Sequence, residues 1–391
     1  MSSNQSKDKL LLLHNVIAPY RIPLFEELSK RYDLTVMFCS QKAKGRNWST
    51  TIGKVHFHYK ILRNVRLLFF VLNPGLPFYL LRQKVNAYII IDDEENFFSN
   101  LCIVIFAKLA RKPYILWSGH IPIEGATIHP IDFHHTALHR WPIKNIFRLF
   151  TERTNQYLYD HASSFLAYSD MSKRYLVSHG VDPKNISVST QAMAQELMPT
   201  PKRTISLNAN KLQLLYVGYF RPEKGIDILI KAVLSLPASK VELHIVGDGP
   251  EKVALQELTG NAKNIKIHPY VQSVERANWL NSVDISVLPT YFDPWAHVIT
   301  ESLYYGTPVV VTSSAAASSI IRDGYNGFVV TAGDINQLRM ILQALIDNPA
   351  QLTKMKEFLN ENKDMSLYDV SSNAKNFVDA YAEAIKRKHK V

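Results

Sequence analysis

Short apolar runs bounded by turn residues alternate with amphipathic segments along the chain. Runs of this kind are typical of buried parallel strands, and the segments between them have the spacing of helices. In the first half, strands are predicted at Lys9–Val16, Leu34–Cys39, Val55–Leu62, Ala87–Ile91, Tyr114–Trp117 and Ile186–Val188. In the second half, they are predicted from Leu212 onward and at Val241–Val246, Ile265–Ile267, Ile285–Leu288 and Val309–Thr312. This alternation predicts an α/β fold with parallel, doubly wound sheets.

The length of the chain predicts two domains, because single hydrophobic cores stop growing well below 391 residues. Residues 191–211 contain Pro199 and Pro201 and show little periodicity, so they form the predicted linker. We therefore expect a first domain over residues 1–190 and a second domain over residues 212–369. Helices are predicted near residues 334–348, 350–361 and 370–386.

One segment, residues 63–84, places basic residues on both sides of a dense apolar centre. The simplest interpretation is a buried helix that breaks at Asn73-Pro74-Gly75. The alternative is a membrane-interface element, since cations beside Leu and Phe suit anionic bilayer surfaces. A predicted helix bearing Arg140, Lys144 and Arg148 is the second candidate for such an element.

Composition and charge limit the class of protein and the kinds of partner that the chain can bind. A hydrophobic content of 47% excludes a disordered chain, and a net charge of +11 favours an anionic partner. Nucleic acid is not expected, because no zinc spacing, RNP-like signature or basic heptad region is found. Two cysteines, Cys39 and Cys102, make no disulfide framework and favour a reducing cytosol. With neither a secretory signal nor a spanning segment evident, we expect a cytoplasmic protein that at most binds the inner membrane face.

Charged residues follow two strands of the second half. Arg221 and Lys224 precede a helix N-terminus, where cations and backbone N–H groups together suit a pyrophosphate. Asp293 lies in the loop before a helix predicted at about 296–305, and Glu301 lies within that helix. The two carboxylates can contact one polyhydroxylated ligand. Alternatively, Asp293 is a loop or N-cap residue and Glu301 a solvated helix residue.

The first half offers candidates at three strand ends. Arg21 is either a contact for an acceptor or phosphate, or a surface arginine at a helix start. Asp92 and Asp93, the first of four successive acids, either bind acceptor hydroxyls or complement the dipole of the next helix. His120 lies at the mouth of a site or is a loop histidine without a chemical role. No metal-ligand spacing is found, so no metal is expected.

These motifs, in this order, resemble those of the retaining glycosyltransferases of family 4, which have the GT-B fold. The resemblance is carried by G-Y-F-R-P-E-K-G at 218–225, by V-G-D-G-P at 246–250 and by Asp293 and Glu301 at the two acids of a Glu-x7-Glu motif. A looser match is P-Y-R-x-P-L-F at 19–25. Where the family usually has glycine, this chain has Pro294 and Ala296. The resemblance implies two Rossmann-like domains facing across a cleft, with the C-terminal helix, about 370–391, packing back on the first domain.

The same resemblance implies roles for individual residues. Arg221 and Lys224 would bind the donor phosphates, Asp293 the hexose and Glu301 the ribose, while His120 would lie beside the donor sugar. The other implied donor contacts are Gly218, Gly247, Tyr270, Val271, His297, Val298 and Ile299.

The implied activity is retaining, metal-independent transfer of a hexosyl unit from a nucleoside diphosphate sugar to an acceptor hydroxyl. No cofactor is implied besides this donor. The implied acceptor is a lipid-linked glycan or a lipopolysaccharide or polysaccharide precursor, with an anionic membrane surface as a candidate partner. The alternatives are a nucleotide-sugar epimerase, a phosphorylase, and a non-catalytic module that binds nucleotide sugars.

Overall fold

The computed structural model describes residues 6–42, 50–67, 70–122, 152–202 and 205–388. It divides the chain into two compact units. Unit 1 contains the described residues up to Ala194 and those from Tyr368 onward, whereas unit 2 runs from Gln195 to Leu367. The helix predicted around Arg140 and the histidines at positions 129, 134, 135 and 139 lie outside the described residues.

The described elements alternate between strand and helix along the chain. The strands are β1 (Lys9–Val16), β2 (Asp33–Ser40), β3 (His58–Ile61), β4 (Val65–Leu67), β5 (Phe70–Leu72), β6 (Ala87–Ile91), β7 (Tyr114–Ser118), β8 (Ser164–Ala167), β9 (Ile186–Val188), β10 (Leu212–Tyr219), β11 (Val241–Asp248), β12 (Ile265–His268), β13 (Ile285–Leu288), β14 (Val309–Thr312) and β15 (Gly327–Val330). The helices are α1 (Ile22–Ser29), α2 (Leu76–Leu80), α3 (Phe97–Leu109), α4 (Asp170–Ser178), α5 (Ile226–Leu234), α6 (Lys252–Thr259), α7 (Ser273–Ser282), α8 (His297–Tyr304), α9 (Ile335–Asp347), α10 (Pro349–Glu361) and α11 (Val370–Lys388). Residues 152–161 are also helical.

Unit 1 is built around a parallel sheet with the spatial order β3-β2-β1-β6-β7-β8-β9. The chain therefore builds outward from β1 in one direction and from β6 in the other. Helices α1 and α11 cover one face, where Phe25, Trp117 and Phe377 share a buried cluster. The carboxyl ends of β1 and β6 meet where the strand order reverses, which is where open α/β sheets bind ligands.

Unit 2 repeats this plan with the order β12-β11-β10-β13-β14-β15, and all of its strand pairs are parallel. Its strands are rich in Val, Ile and Leu and are buried on both faces, as a sheet covered by helices requires. The order reverses between β10 and β13. The doubly wound α/β prediction is confirmed in both units.

The predicted elements agree closely with the structure outside one region. The last three helices lie within a residue or two of their predicted bounds, and Ser169 caps α4 by accepting a hydrogen bond from Ser172 N at 3.1 Å. The predicted strand at Val55–Leu62 is too long. Only His58–Ile61 pairs with β2, at the edge of the sheet.

The buried helix predicted within residues 63–84 is wrong. Strands β4 and β5 form an antiparallel pair there, and the short helix α2 follows. Asn73 explains the difference, because its buried side chain donates to the carbonyl oxygens of Cys39 and Arg63 and accepts from Ser99 Oγ. These three hydrogen bonds hold the segment against β2 and α3 in a conformation that is not helical. Within the described ranges, no helix is both long enough and apolar enough to span a bilayer.

Candidate functional site

The loops that follow β10 and β13 form the candidate site of unit 2. The turn after β10 lies against the turn after β11, because Phe220 N donates to Asp248 O at 2.9 Å and Glu251 N donates to Phe220 O at 3.2 Å. A Cβ on Gly247 would come within 1.9 Å of Gly218 O. Glycine at position 247 is therefore required by the close approach of two backbones, whereas a Cβ on Gly218 would lie 2.8 Å from the hydroxyl of Tyr216.

Gly225 joins the turn after β10 to the loop after β13. Its φ is +61°, and a Cβ at this position would lie 2.1 Å from Pro289 O. Glu223 O also accepts hydrogen bonds from Thr290 Oγ1 and Tyr291 N, both at 2.8 Å. The charged residues of the two loops are held at fixed positions by these backbone contacts.

Lys224 and Asp293 form an ion pair across the two loops, with Nζ 2.7 Å from Oδ2. Oδ1 of Asp293 accepts a hydrogen bond from Trp295 N at 3.1 Å. Burial raises the pKa of Asp293, but the charge and hydrogen bond of Lys224 and the backbone N–H groups outweigh it, so the pKa lies below its ordinary value. Asp293 is therefore a fixed carboxylate at neutral pH.

The segment after Asp293 reaches α8 through a strained residue. Ala296 precedes the helix with φ +69°, a left-handed conformation that a non-glycine residue adopts at a cost. The loop is attached to the segment after β14, since Ala316 N donates to Asp293 O and Ala317 N donates to Trp295 O. Asp293 lies in the loop and does not cap α8, whose N-cap residue is Ala296, and its role as a ligand contact stays a prediction.

Glu301 and Arg276 form the second ion pair of the site, with Nε 2.9 Å from Oε2. Glu301 is only 5% exposed, so the alternative of a solvated helix residue is wrong. Burial raises the pKa of Glu301, and the charge of Arg276 opposes this rise. No sequence motif points to Arg276, which lies in α7.

The other cation of the motifs is Arg221. Its Nη1 lies 3.6 Å from Oε1 of Glu223. Glu223 is buried, and its Oε2 has no hydrogen-bond partner among the described residues. Each cation of the unit 2 motifs thus lies beside a carboxylate.

Other predicted donor contacts lie in less polar surroundings. Tyr270 is exposed, while Val271 packs against a cluster that contains Trp279. His297 and Val298 are half-buried in the first turn of α8. Ile299 is different, because its side chain is fully buried in the core and its N–H donates to Ala296 O at 2.9 Å. The structure gives the Ile299 side chain a packing role, and its role as a ligand contact stays a prediction.

In unit 1, His120 and Asp92 form a buried pair after β7 and β6. Nδ1 of His120 lies 3.2 Å from Oδ2 of Asp92, and Oδ1 accepts a hydrogen bond from Gly119 N at 3.2 Å. The hydroxyl of Tyr159, which the sequence analysis missed, lies 3.1 Å from His120 Nδ1. Burial lowers the pKa of His120, but Asp92 and the neighbouring acids outweigh it and raise the pKa to about 9.

Asp93 lies beside this pair with different partners. It caps the 3₁₀ turn at Glu94–Asn96 by accepting a hydrogen bond from Glu95 N at 2.9 Å, and it accepts another from Asn15 Nδ2 at 2.6 Å. This capping agrees with the alternative in which the acids stabilise the start of the next helix.

Arg21 lies at the carboxyl end of the same sheet and is 5% exposed, so the surface-arginine alternative is wrong. Its guanidinium carbon lies 4.3 Å from the ring centroid of Trp117 and 4.9 Å from that of Tyr168. Four of the predicted residues, Arg21, Asp92, Asp93 and His120, therefore lie at one edge of the unit 1 sheet. No group of three His, Cys, Asp or Glu residues within the described ranges is placed to hold a metal ion.

Comparison with known proteins supports the motifs of unit 2. Residues 199–364 match the family described as glycosyl transferases group 1. A D-inositol 3-phosphate glycosyltransferase of Thermobispora bispora is 26% identical over 251 residues, which are 59% of this chain and 58% of that protein. The corresponding protein of Arthrobacter is 29% identical over 49% of each chain. The matched region spans between half and three fifths of the length of these curated relatives.

Solved structures are similar over almost the whole chain. The Anabaena protein HepE in complex with UDP has a TM-score of 0.69 and 17% identity, covering 96% of this chain and 99% of that one. Sucrose-phosphate synthase from Thermosynechococcus elongatus has a TM-score of 0.72 and 15% identity, covering 97% and 100%. These likenesses show the GT-B fold. The fold implied by the motifs is confirmed, and residues 199–364 match a glycosyltransferase family, as the motifs of unit 2 predicted.

Proposed function

We propose that this chain, whose residues 199–364 belong to the glycosyl transferases group 1, transfers a hexosyl unit from a nucleoside diphosphate sugar to an acceptor hydroxyl. The observation that carries the proposal is the ion pair of Lys224 and Asp293, 2.7 Å apart where the strand order of unit 2 reverses. A cation and a carboxylate from two different loops lie side by side there. The phosphates and the sugar hydroxyls of a nucleoside diphosphate sugar are also close together. Lys224 suits the phosphate, and the carboxylate of Asp293 suits the hydroxyls.

In the proposed reaction, the bond between the anomeric carbon and the phosphate oxygen breaks as the acceptor oxygen bonds to that carbon on the same face. The departing phosphate takes the proton of the acceptor hydroxyl, so the scheme needs neither an enzymic nucleophile nor a metal. Arg221 and Lys224 stabilise the negative charge that develops on the leaving diphosphate. Glu301 binds the ribose, Asp293 binds the sugar hydroxyls, and His120 orients the sugar.

The similar proteins support a first choice of donor and acceptor. The Anabaena HepE structures are complexes with UDP and UDP-glucose, and another similar structure is a lipopolysaccharide outer core galactosyltransferase. The name of the curated relatives contains a phosphorylated acceptor, inositol 3-phosphate. A uridine diphosphate hexose is therefore the first donor to test for this chain, with a glycan or a lipid-linked glycan precursor as acceptor.

A surface of unit 1 supports a lipid-linked acceptor at the cytoplasmic face of a membrane. Phe78 is 70% exposed and Leu81 is 73% exposed on and just after α2, and Val65 and Leu67 are exposed on β4. The nearby sequence is basic, and the whole chain carries a net charge of +11. Apolar side chains surrounded by cations suit an anionic bilayer surface. We expect sedimentation with vesicles that contain phosphatidylglycerol and not with neutral phosphatidylcholine vesicles, and equal behaviour with both would contradict membrane binding.

The donor proposal is tested by titrating the purified chain with UDP-glucose, UDP-galactose and GDP-mannose while following thermal shift and nucleotide release. We expect one donor to stabilise the wild type, and Lys224→Ala and Glu301→Ala to reduce its affinity at least about tenfold, since each removes a charge-assisted contact. The matched control is Lys231→Ala on α5, because Lys231 also pairs with an aspartate, Asp227 at 2.8 Å, on an exposed helix face.

Two outcomes would contradict the proposal. One is that no nucleotide sugar stabilises the folded wild type. The other is that Lys231→Ala weakens donor binding as much as Lys224→Ala does. Turnover distinguishes a transferase from a binding module, and the anomeric configuration of the product, read by proton NMR, tests retention. Release of a free 2-epimeric sugar without acceptor would favour the epimerase.

A further inference from the structure

One cation of unit 1, Arg21, has no counter-ion among the residues that the structure describes. Arg21 is 5% exposed, and its Nε is buried without a hydrogen-bond partner. Among the described residues, none forms a salt bridge with its guanidinium or accepts a hydrogen bond from it. Removing a charge from water without pairing it costs several kcal/mol, so buried arginines normally have an anionic partner.

The groups around Arg21 are aromatic or neutral. Its guanidinium carbon lies 4.3 Å from the centroid of Trp117, 4.9 Å from that of Tyr168 and 5.2 Å from that of Tyr20. Burial and the charge of Arg21 lower the pKa of His14 to about 3, so this neighbouring ring is neutral as well. Stacking on ring faces offsets part of the cost of burial. It leaves the in-plane N–H donors of a guanidinium available to a planar or tetrahedral oxyanion.

The carboxylates at the same sheet edge have other partners. Asp93 accepts hydrogen bonds from Asn15 at 2.6 Å and from Glu95 N at 2.9 Å. Asp92 pairs with His120 at 3.2 Å and accepts from Gly119 N. Neither of them neutralises Arg21, so its charge is available to a ligand.

The place of Arg21 in the fold favours a ligand over a purely structural role. Arg21 is the N-cap residue of α1, and no side chain caps this helix. It follows β1, and the strand order of the unit 1 sheet reverses between β1 and β6. The helix N-terminus adds positive potential at the edge where open α/β sheets bind ligands.

We propose that Arg21 binds an oxyanion of the acceptor, a phosphate or a carboxylate, so that the acceptor is an anionic compound. The identification of this ligand as the acceptor rests on the proposed transferase function. The anion site itself rests only on the buried, unpaired guanidinium and its position in the sheet.

The anion site is tested by titrating inorganic phosphate and, separately, acetate into the full chain at constant ionic strength. The titrations use a Lys224→Ala background, which weakens phosphate binding at the unit 2 loops. We expect phosphate or acetate to raise the Tm of Lys224→Ala, and the added substitution Arg21→Met to weaken that binding at least tenfold. Arg21→Lys in place of Arg21→Met should restore part of the affinity, because it keeps the charge but loses the fork of donors.

The two probes distinguish the two sources of the anion. Binding of phosphate alone identifies a phosphorylated acceptor, and binding of acetate alone identifies a carboxylated one. Equal anion affinity with and without Arg21 would overturn the proposal. Absence of binding of either anion to the Lys224→Ala protein would overturn it too.

A donor titration separates this proposal from the proposed function. Arg21→Met should bind the nucleotide sugar as the wild type does, while its KM for an anionic acceptor rises about tenfold with little change in kcat. Nucleotide-sugar turnover together with Arg21-independent anion binding would refute the anion site alone. Failure of every nucleotide sugar to bind, with Arg21-dependent phosphate binding intact, would refute the transferase and support the anion site.

Discussion

The two units place cations at the same point of the same architecture but surround them differently. In unit 2, Lys224 lies 2.7 Å from Asp293, and Arg276 lies 2.9 Å from Glu301. In unit 1, Arg21 lies over aromatic rings, and no described carboxylate pairs with it. Both sites lie where the strand order of a parallel sheet reverses.

The two sites differ in how the folded protein stabilises a cation before a ligand binds. A paired cation is stable without a ligand, and a ligand binds by sharing or replacing the carboxylate. An unpaired buried cation is costly without a ligand, and the cost is recovered when an anion binds. The unit 2 site is therefore suited to a ligand with both phosphates and hydroxyls, and the unit 1 site to an oxyanion.

The largest expected effect comes from the backbone contact that positions the unit 2 cations. Gly225→Ala should destabilise unit 2 by about 3 kcal/mol, because it adds a left-handed alanine and a Cβ 2.1 Å from Pro289 O. Gly180→Ala in unit 1 is the matched control, since Gly180 also has a positive φ, +87°, but has open space around it. It should cost only about 1 kcal/mol. Urea unfolding of both variants measures the difference, and equal costs would show that the contact with Pro289 is unimportant.

The pairing of the cations is tested by removing one from each unit. Arg276→Met should cost about 3 kcal/mol at neutral pH, because it leaves the buried Glu301 without its counter-ion. Arg21→Met should change the free energy of unfolding by less than about 1 kcal/mol, since an apolar chain of similar length fills the aromatic surroundings. Chemical denaturation measures both. A loss for Arg21→Met as large as that for Arg276→Met would mean that Arg21 has a structural partner.

The pH dependence of unit 1 is expected to follow His120. The pKa of His120 is about 9 in the folded chain and 6.5 in the unfolded chain. Its stabilising contribution is therefore full below pH 6.5 and is lost as the pH rises through 9. Between pH 7 and pH 9.5 the wild type should lose about 2 kcal/mol from this group. Asp92→Asn should lose less over the same range, because the main cause of the raised pKa is gone. Unfolding at the two pH values measures this difference, and equal losses would contradict it.

The pH dependence of unit 2 is expected to have the opposite sign and a smaller size. Burial and the neighbouring His268 lower the pKa of His244 to about 4. Below pH 6.5 the unfolded chain binds a proton that the folded chain does not, so stability falls as the pH drops towards 4. His244→Gln should reduce the loss between pH 7 and pH 5 by about 1.8 kcal/mol, which follows from a pKa of 6.5 in the unfolded chain and about 4 in the folded chain. Thermal melts at pH 7 and pH 5 measure this effect. As an internal control, His244→Gln should lose as much stability as the wild type between pH 7 and pH 9.5.

Local patterns predicted the parts of the molecule that depend on local chemistry. The strands of both sheets follow from apolar runs, because a strand buried on both faces needs apolar side chains at nearly every position. The glycines at 225 and 247 follow from the turns, because backbone atoms leave no room for a Cβ. The cations Arg221 and Lys224 could be predicted too, since they lie in the same short motif as Gly218 and Gly225.

The features that the sequence did not predict depend on contacts between distant parts of the chain. Arg276 belongs to no motif and gains its importance only because α7 lies beside Glu301 of α8. Residues 63–84 were predicted to form a buried helix because their composition is apolar. Asn73 instead makes hydrogen bonds to two distant groups, the carbonyl oxygen of Cys39 and the hydroxyl of Ser99, and one within the segment, to Arg63 O.

The sequence by itself determined the α/β class, the strand positions, the family motifs and most of the charged residues of both sites. Only the tertiary structure decided which of those charges are paired. Burial and pairing depend on the order of strands in a sheet, and that order brings together residues such as Arg21 and Trp117 that are far apart in the chain. An isolated motif cannot reveal whether its arginine will meet a carboxylate or an aromatic ring.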